Sequence, residues 1–247
     1  MHEKFITINS GKTNCYLIQA DKGYLLLDTG YEKDYKKFLR ELDKNEIKIS
    51  KINYLLLTHH HDDHAGFVNK ILNDSELKII AHEKAKELLK SGENDKTRSG
   101  GIINRKMYYL FKFGQKFIPN LFELTFPPVF LRDKDILIKG NNENVLKEIG
   151  VNAEIIYTPG HSIDSISVLF DREIIFCGDA AMSWPLWAGT KYHTIFITDV
   201  NEYYRSWEKI IDSGAEKVYP SHGKSFNVYK LNENKGEFNN DDLIKFF

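Results

Sequence analysis

The chain has 247 residues, 42% of them hydrophobic, and a formal net charge of -1. This length and apolar content predict one sizeable globular domain over residues 1–247, and the near-neutral charge excludes a broad basic surface for nucleic acid. The first residues lack a basic stretch followed by an apolar core, and no apolar run is long enough to span a bilayer. We therefore expect a cytoplasmic protein with no transmembrane segment that acts on a small-molecule substrate.

Strands and helices alternate along the first part of the chain. Short β-type runs separated by turn residues predict strands at residues 5–8, 15–19 and 24–28. Apolar residues at helical spacing predict a helix over 31–44. A strand ending at Leu57, a helix at about 66–72, a strand at 77–81 and a helix at 83–90 follow. These boundaries place His82 at the start of a helix.

Four candidate metal ligands lie within six residues, directly after the apolar run 54–57. The motif reads His-x-His-x-Asp-His and contains His59, His61, Asp63 and His64. The apolar run predicts a buried strand, so the motif occupies the loop at the end of that strand. Imidazole and carboxylate groups suit zinc and related divalent ions, and so many lone pairs on one loop are costly without a cation. A solvated, histidine-rich surface turn is the alternative interpretation.

Three single residues later in the chain share one local pattern. Strands are predicted at residues 153–157, 166–170, 173–177 and 217–219, with a helix at 202–213. His161, Asp179 and His222 each follow a strand-like run and adjoin a glycine. In layered α/β folds the loops at strand ends converge while the sheets stay rigid, so this pattern predicts that the three residues form one site with the earlier motif.

Residues from about 92 to 133 form an aromatic-rich helical insert between these two halves. Arginines and lysines are interleaved with the aromatic residues, which predicts amphipathic helices whose apolar side packs on the body of the protein. A lid over the site, a membrane-surface contact and a homodimer interface are the functional alternatives. A homodimer through this insert is therefore one expectation.

Cysteine usage excludes a disulfide framework. The two cysteines, Cys15 and Cys177, both lie in strand-like runs. Buried, reduced thiols are the expected state of both.

Five motifs, in this order, resemble those of the metallo-β-lactamase-fold hydrolase superfamily. They are Asp28 in Leu-Asp-Thr-Gly, the cluster from His59 to His64, His161 after Pro-Gly, Asp179 after Gly, and His222 before Gly. The resemblance covers nearly the whole chain. It implies an α/β fold, namely a four-layer αβ/βα sandwich of two mixed β-sheets with helices on the outer faces, and a dinuclear metal centre at one edge.

The resemblance also implies a role for each motif residue. His59, His61 and His161 would hold the first metal, Asp63, His64 and His222 the second, and Asp179 would bridge the two. Asp28 would orient an imidazole without binding metal. His60 and Asp62 occupy the variable positions, where solvent-facing or supporting roles are expected. His82 and His193 lie outside the pattern. His82 is expected to cap a helix or to face solvent, and His193 is expected to have a structural or surface role, with contact to the substrate as its alternative. The implied cofactors are two divalent ions, zinc in the first instance, with iron or manganese as alternatives.

Such a centre implies hydrolysis. A divalent metal lowers the pKa of bound water toward about 7, and a second ion stabilises the charge that develops on the scissile oxygen. Asp63 or Asp179 would accept a proton transiently. Asp179 stands where the zinc β-lactamases of the first subclass carry Cys, which disfavours that activity and leaves an ester, lactone, thioester or phosphodiester as the bond cleaved.

Two other classes of function stay open. A mononuclear iron oxidoreductase of the persulfide dioxygenase type shares the fold and several ligands. A metal-binding protein without catalysis is disfavoured by the complete ligand set.

Overall fold

The computed structural model describes residues 5–94, 100–117 and 124–245. Internal contacts divide the chain into two compact units. The first unit comprises Met1–Asn94 and Thr125–Ile155, and the second comprises Asp95–Leu124 and Ile156–Phe247. The predicted insert at about 92–133 contributes to both units, and its residues 95–99 and 118–123 lie outside the described ranges.

The described residues form strands and helices that alternate along the chain. The strands are β1 (Phe5–Ser10), β2 (Thr13–Gln19), β3 (Tyr24–Leu27), β4 (Ile52–Leu56), β5 (Lys78–His82), β6 (Gly101–Ile102), β7 (Ile136–Ile138), β8 (Ala153–Tyr157), β9 (Ile166–Phe170), β10 (Ile174–Gly178), β11 (Phe196–Ile197), β12 (Lys217–Pro220) and β13 (Phe226–Asn227). The α-helices are α1 (Tyr35–Lys44), α2 (Asp62–Ala65), α3 (Val68–Asp74), α4 (Ala85–Ser91), α5 (Arg105–Gly114), α6 (Val200–Asp212) and α7 (Tyr229–Asn234).

The first unit is built on a six-stranded mixed sheet in the order β1-β2-β3-β4-β5-β7. β1, β2 and β3 pair in antiparallel fashion, whereas β3, β4, β5 and β7 are parallel. Because parallel strands end at the same edge, the residues that follow β3 and β4 come together there. The rings of Phe38 in α1 and Phe67, which precedes α3, lie 5.1 Å apart in the buried core of this unit. Burying an aromatic side chain of this kind contributes about 1.5–3 kcal/mol.

The second unit is organised around a five-stranded mixed sheet in the order β13-β12-β10-β9-β8. β10 pairs antiparallel with β9 and parallel with β12. Helix α6 contributes Tyr203, Trp207 and Ile210 to a buried cluster with residues of β10 and β12. Asp199 begins this helix, since its side chain accepts hydrogen bonds from the backbone N–H groups of Asn201 and Glu202. The two mixed sheets and their helices confirm the predicted α/β class.

Most predicted elements are present, and some of their bounds differ. Strands β8 and β9 have the predicted bounds. The helix predicted at about 66–72 is present as α3, two residues further along the chain, whereas the short helix α2, which begins inside the metal motif, was not predicted. Asp62 and Asp63 lie in the first turn of α2, where carboxylates stabilise the positive end of the helix dipole. Strand β13 and helix α7, which follow His222, were not predicted.

Two local predictions have different outcomes. His82 does not open a helix: it is the last residue of β5 and is buried, with its ring nitrogens 3.2 and 3.3 Å from the backbone nitrogens of Lys84 and Gly140. The prediction of buried, reduced thiols is confirmed for Cys15 and Cys177. Among the described residues, no helix is both long and apolar enough to cross a membrane.

Candidate metal centre

The histidine motif of the first unit starts where β4 ends and is held by the residue that follows β3. Asp28 takes a left-handed backbone conformation, with φ of 59°. Its carboxylate accepts hydrogen bonds from the backbone N–H of Thr58 at 2.7 Å, from the Thr58 hydroxyl at 2.7 Å and from Nδ1 of His64 at 2.8 Å. The backbone N–H and the hydroxyl of Thr29 both donate to the carbonyl of His64 at 2.8 Å. Both ends of the motif are therefore fixed to the edge of the sheet.

This support brings the four candidate ligands of the motif together. The rings of His59 and His61 have centroids 4.5 Å apart, and those of His59 and His64 are 3.9 Å apart. Nε2 of His64 lies 3.7 Å from Oδ1 of Asp63. Ligand atoms of His59 and His61, of His59 and His64, and of Asp63 and His64 lie within 4.8 Å of each other. The first unit thus contains a histidine-rich cluster that can hold a metal ion.

The two variable positions of the motif, His60 and Asp62, have different surroundings. His60 is buried, which excludes a solvent-facing ring and is compatible with the supporting role, the other expected alternative. Asp62 is bound to Asn94: the backbone N–H of Asp62 donates to the Asn94 side chain at 2.8 Å, and Nδ2 of Asn94 donates to the Asp62 carboxylate at 2.7 Å. Burial, followed by the charge of Asp63, raises the pKa of Asp62 to about 6. Asp62 therefore supports the loop, and nothing in the sequence around Asn94 marked it as its partner.

In the second unit, the residue before His161 makes an unusually close backbone contact. Gly160 has φ of +128°, and a Cβ atom there would lie 2.4 Å from the Cα of Tyr203. Its carbonyl accepts hydrogen bonds from the backbone N–H and the hydroxyl of Thr198, each at 2.8 Å. This position requires glycine, which explains why a glycine precedes His161 in the sequence.

The orientation of the His161 ring is determined by a backbone group. Nδ1 of His161 lies 2.8 Å from the carbonyl oxygen of Phe196, which can only accept a hydrogen bond. Nδ1 therefore carries the proton of the neutral ring, and Nε2 carries the lone pair that a metal requires. Every residue has a backbone carbonyl, so the sequence does not show which one accepts the hydrogen bond from His161.

Asp179 lies between the two histidines of the second unit. It follows β10 directly, and its Oδ2 is 3.7 Å from Nε2 of His161. Its Oδ1 is 3.4 Å from Nε2 of His222. The loop that carries His222 is bound to β10 through the backbone N–H of Ser221, which donates to the carbonyl of Gly178 at 3.1 Å. The two carboxylate oxygens of Asp179 therefore point to different imidazoles.

The separations between ligand atoms fit a tetrahedral metal site. Two atoms that each lie about 2.1 Å from such an ion are about 3.4 Å from one another. The distances of 3.4 and 3.7 Å around Asp179, and of 3.7 Å between Asp63 and His64, are close to this value. Imidazole nitrogens and carboxylate oxygens are also the donor set that zinc and related ions accept in proteins. Each cluster is thus suited in both geometry and chemistry to divalent metal binding.

His193, outside the metal motifs, has the structural role expected of it. Its ring is buried and stacks on Trp207 with centroids 4.4 Å apart. Nδ1 lies 2.9 Å from the carbonyl of Thr190, and Nε2 lies 3.1 Å from the Tyr204 hydroxyl. Burial lowers the pKa of His193 to about 4, although the Thr190 carbonyl acts in the opposite direction.

Comparison with known proteins agrees with this fold and these clusters. A sequence model of the metallo-beta-lactamase superfamily matches residues 8–222. The chain belongs to the metallo-β-lactamase superfamily.

Curated relatives of this family are distant in sequence. A beta-lactamase-like protein 2 homolog of Drosophila melanogaster is 26% identical over 212 residues, which cover 85% of this chain and 58% of that protein. A "probable metallo-hydrolase" of Methanocaldococcus jannaschii is 27% identical over 218 residues, which cover 86% of this chain and 88% of that protein. The chain thus spans little more than half of the Drosophila relative and most of the archaeal one.

Solved structures show the same fold. An archaeal metallo-beta-lactamase superfamily protein from Sulfolobus tokodaii superimposes with a TM-score of 0.63 and 22% sequence identity, covering 94% of this chain and 85% of that chain. Family membership and the histidine-rich cluster together indicate a site that can hold metal ions.

Proposed function

We propose that this protein is a hydrolase that uses a dinuclear metal centre, with zinc as the metal, to cleave an ester, lactone, thioester or phosphodiester bond in a small molecule. The observation that carries the proposal is the position of Asp179, whose two carboxylate oxygens face His161 and His222 separately. A carboxylate whose two oxygens face different ligands can bridge two ions by presenting one oxygen to each.

The proposal assigns each motif residue a place in the centre. One ion would be held by His59, His61 and His161, the other by Asp63, His64 and His222, and Asp179 would bridge them. This assignment rests on family membership and on the two clusters, His59 to His64 and the group of His161, Asp179 and His222. Neither cluster by itself contains enough ligands for two ions.

The catalytic chemistry depends on both the ions and the side chains around them. Divalent ions in such a centre acidify water and stabilise the negative charge that develops on the scissile oxygen. Asp63, whose side chain is 15% exposed, accepts the proton released when water attacks. Asp179 is the second candidate for this role. Asp28 keeps the His64 ring in one orientation throughout.

The decisive test is metal content and hydrolysis in the same preparations. Metal identity and stoichiometry are measured by plasma mass spectrometry on the full chain purified without added metal, and on His161→Ala. The control is His82→Gln, a change to a buried histidine outside both clusters, with melting temperatures recorded for each variant. Each preparation is then tested with lactone, thioester, ester and phosphodiester substrates.

We expect about two zinc ions per chain, fewer in His161→Ala, an unchanged number in His82→Gln, and hydrolysis that follows metal content. About one iron per chain, together with oxygen consumption on a persulfide, would replace the proposal by the dioxygenase alternative. Full metal loading without hydrolysis of any substrate class would overturn the proposal and would indicate a metal-binding protein without catalysis.

A further inference from the structure

Helix α5 of the second unit is attached to its unit by one face. Met107 is buried and packs with Ile102 and Ala188, and Phe111 lies against this cluster. The side chain of Asn104 caps the helix by accepting a hydrogen bond from the backbone N–H of Met107 at 2.9 Å. Apolar contacts therefore hold the inward face of α5, and the cap holds its N-terminus, so the orientation of the helix is fixed.

The opposite face of α5 exposes a row of aromatic side chains. Tyr109, Phe113 and Phe117 are 67%, 62% and 68% exposed. Residues four positions apart lie on the same side of a helix, so the three rings form one stripe that continues past the end of α5. The rings of Phe113 and Phe117 are 4.8 Å apart. An ordered stripe of this kind on the surface indicates an interaction site.

A second exposed aromatic segment adjoins the helix. Lys106 donates to the backbone carbonyl of Trp187 at 2.7 Å, and its ammonium lies 5.5 Å from the centre of the Trp187 ring. Trp184, Leu186 and Trp187 are all exposed. We call these three residues, together with Tyr109, Phe113 and Phe117, the aromatic face.

The charges on and next to α5 have one sign. The described residues 100–117 contain four lysines and arginines and no aspartate or glutamate, although the whole chain has a net charge of -1. Arg105, Lys112 and Lys116 are exposed on or next to α5. A partner that covers this face must therefore be anionic as well as able to accept aromatic rings.

We propose that the aromatic face docks on the surface of an anionic phospholipid bilayer. Aromatic residues favour the headgroup region of a membrane, where the apolar ring and any polar atom are both accommodated. Lysine and arginine side chains next to them are attracted by anionic headgroups, and the interaction weakens as salt is added. Pairing of two copies through this face would instead bring like charges together, which opposes a homodimer here.

The test is sedimentation of the full chain with phosphatidylcholine vesicles, with and without phosphatidylserine, at low and high salt. The aromatic variant is Phe113→Ser with Phe117→Ser, and its matched control is Phe130→Ser with Tyr229→Ser, which removes two exposed rings elsewhere. The charge variant is Lys112→Glu with Lys116→Glu. Its control is Lys36→Glu with Arg40→Glu, two exposed positions on α1.

Binding to phosphatidylserine vesicles that falls at high salt, and that each test variant weakens about tenfold or more while each control stays within about twofold, would support the proposal. Melting temperatures and analytical ultracentrifugation of every variant show whether fold and oligomeric state are unchanged. Equal partition on neutral and anionic vesicles, or equal binding by test and control variants, would overturn it. A dimer that dissociates on Phe113→Ser/Phe117→Ser, without vesicle binding, would assign the face to a second copy.

Discussion

Asp28 and His64 are joined by a 2.8 Å hydrogen bond between two side chains that are 2% and 0% exposed. Thr58 donates to both oxygens of the same carboxylate, which holds it in place. Since an ionised carboxylate only accepts hydrogen bonds, Nδ1 of His64 carries the proton and Nε2 faces Asp63. The Asp28 carboxylate therefore decides which nitrogen of His64 carries the lone pair that a metal would require.

Replacing Asp28 by Asn tests this relationship. Asparagine tolerates the left-handed backbone at φ of 59°, but its amide can no longer accept all three hydrogen bonds. We expect metal affinity to fall about 10- to 100-fold, as for other partners that orient a ligating histidine. Competition with a chelator measures the affinity, and Asp133→Asn, an exposed carboxylate of the same unit, is the control. Equal affinities in the two variants would contradict the orienting role.

Gly160→Ala tests the close backbone contact before His161. The added Cβ would lie 2.4 Å from the Cα of Tyr203, and φ of +128° is strained for alanine. We expect a loss of about 3 kcal/mol in the free energy of unfolding, measured with urea, and weaker metal binding because His161 is displaced. Gly214→Ala is the control, since it also has a positive φ, +82°, but no atom within 4 Å, so it gives the cost of a positive φ without a steric contact. A loss no larger than in this control would show that the contact relaxes easily.

Asp179→Ala tests the bridging role. Both carboxylate oxygens of Asp179 face histidines, so its removal is expected to lower the occupancy of both ions at once. Hydrolysis should fall at least about 100-fold, because the loss of a bridging ligand exceeds the effect of removing a supporting residue. Metal content per chain and initial rates are measured on the same sample. Loss of one ion with full retention of the other would show that Asp179 binds a single metal.

His193 predicts a pH dependence of stability. Its pKa is lowered to about 4 in the folded protein by burial, whereas the ordinary value is 6.5. The contribution of the neutral His193 side chain to the free energy of unfolding is fully present above pH 6.5. It is lost as the pH falls toward 4, because only the unfolded chain takes up the proton in that range. The expected slope is about 1.4 kcal/mol per pH unit.

The measurement is urea unfolding of the protein and of His193→Gln at pH 7 and at about pH 5. The difference between the two proteins cancels the groups that they share, including the candidate ligands. The unfolding free energy of the unaltered chain should fall more steeply with acid than that of His193→Gln. Parallel pH profiles would show that His193 is not held neutral by the fold.

The local spacing of residues was enough to predict the α/β class and to select the candidate ligands. The motif from His59 to His64 spans only six residues, and the strand before it is recognisable from its apolar side chains. Helix α2, in contrast, was missed, because its four residues are too few for a periodic pattern. The position of His82 in β5 depends on its pairing with β7, more than fifty residues later in the chain.

The sequence by itself determined which side chains are available to bind metal, because residue type sets the donor atoms. It also showed where turns occur, because glycine is the residue that adopts their backbone conformations most easily. The tertiary structure decided how they are presented. The proton of His161 is placed by a backbone carbonyl of Phe196, and the loop at Asp62 is held by Asn94, which lies thirty-two residues away. It also decided which rings of α5 face outward, since Met107 and Phe111 find an apolar cluster to pack against while Phe113 does not. Packing and hydrogen bonds between residues distant in sequence leave no local pattern, so only the folded chain shows them.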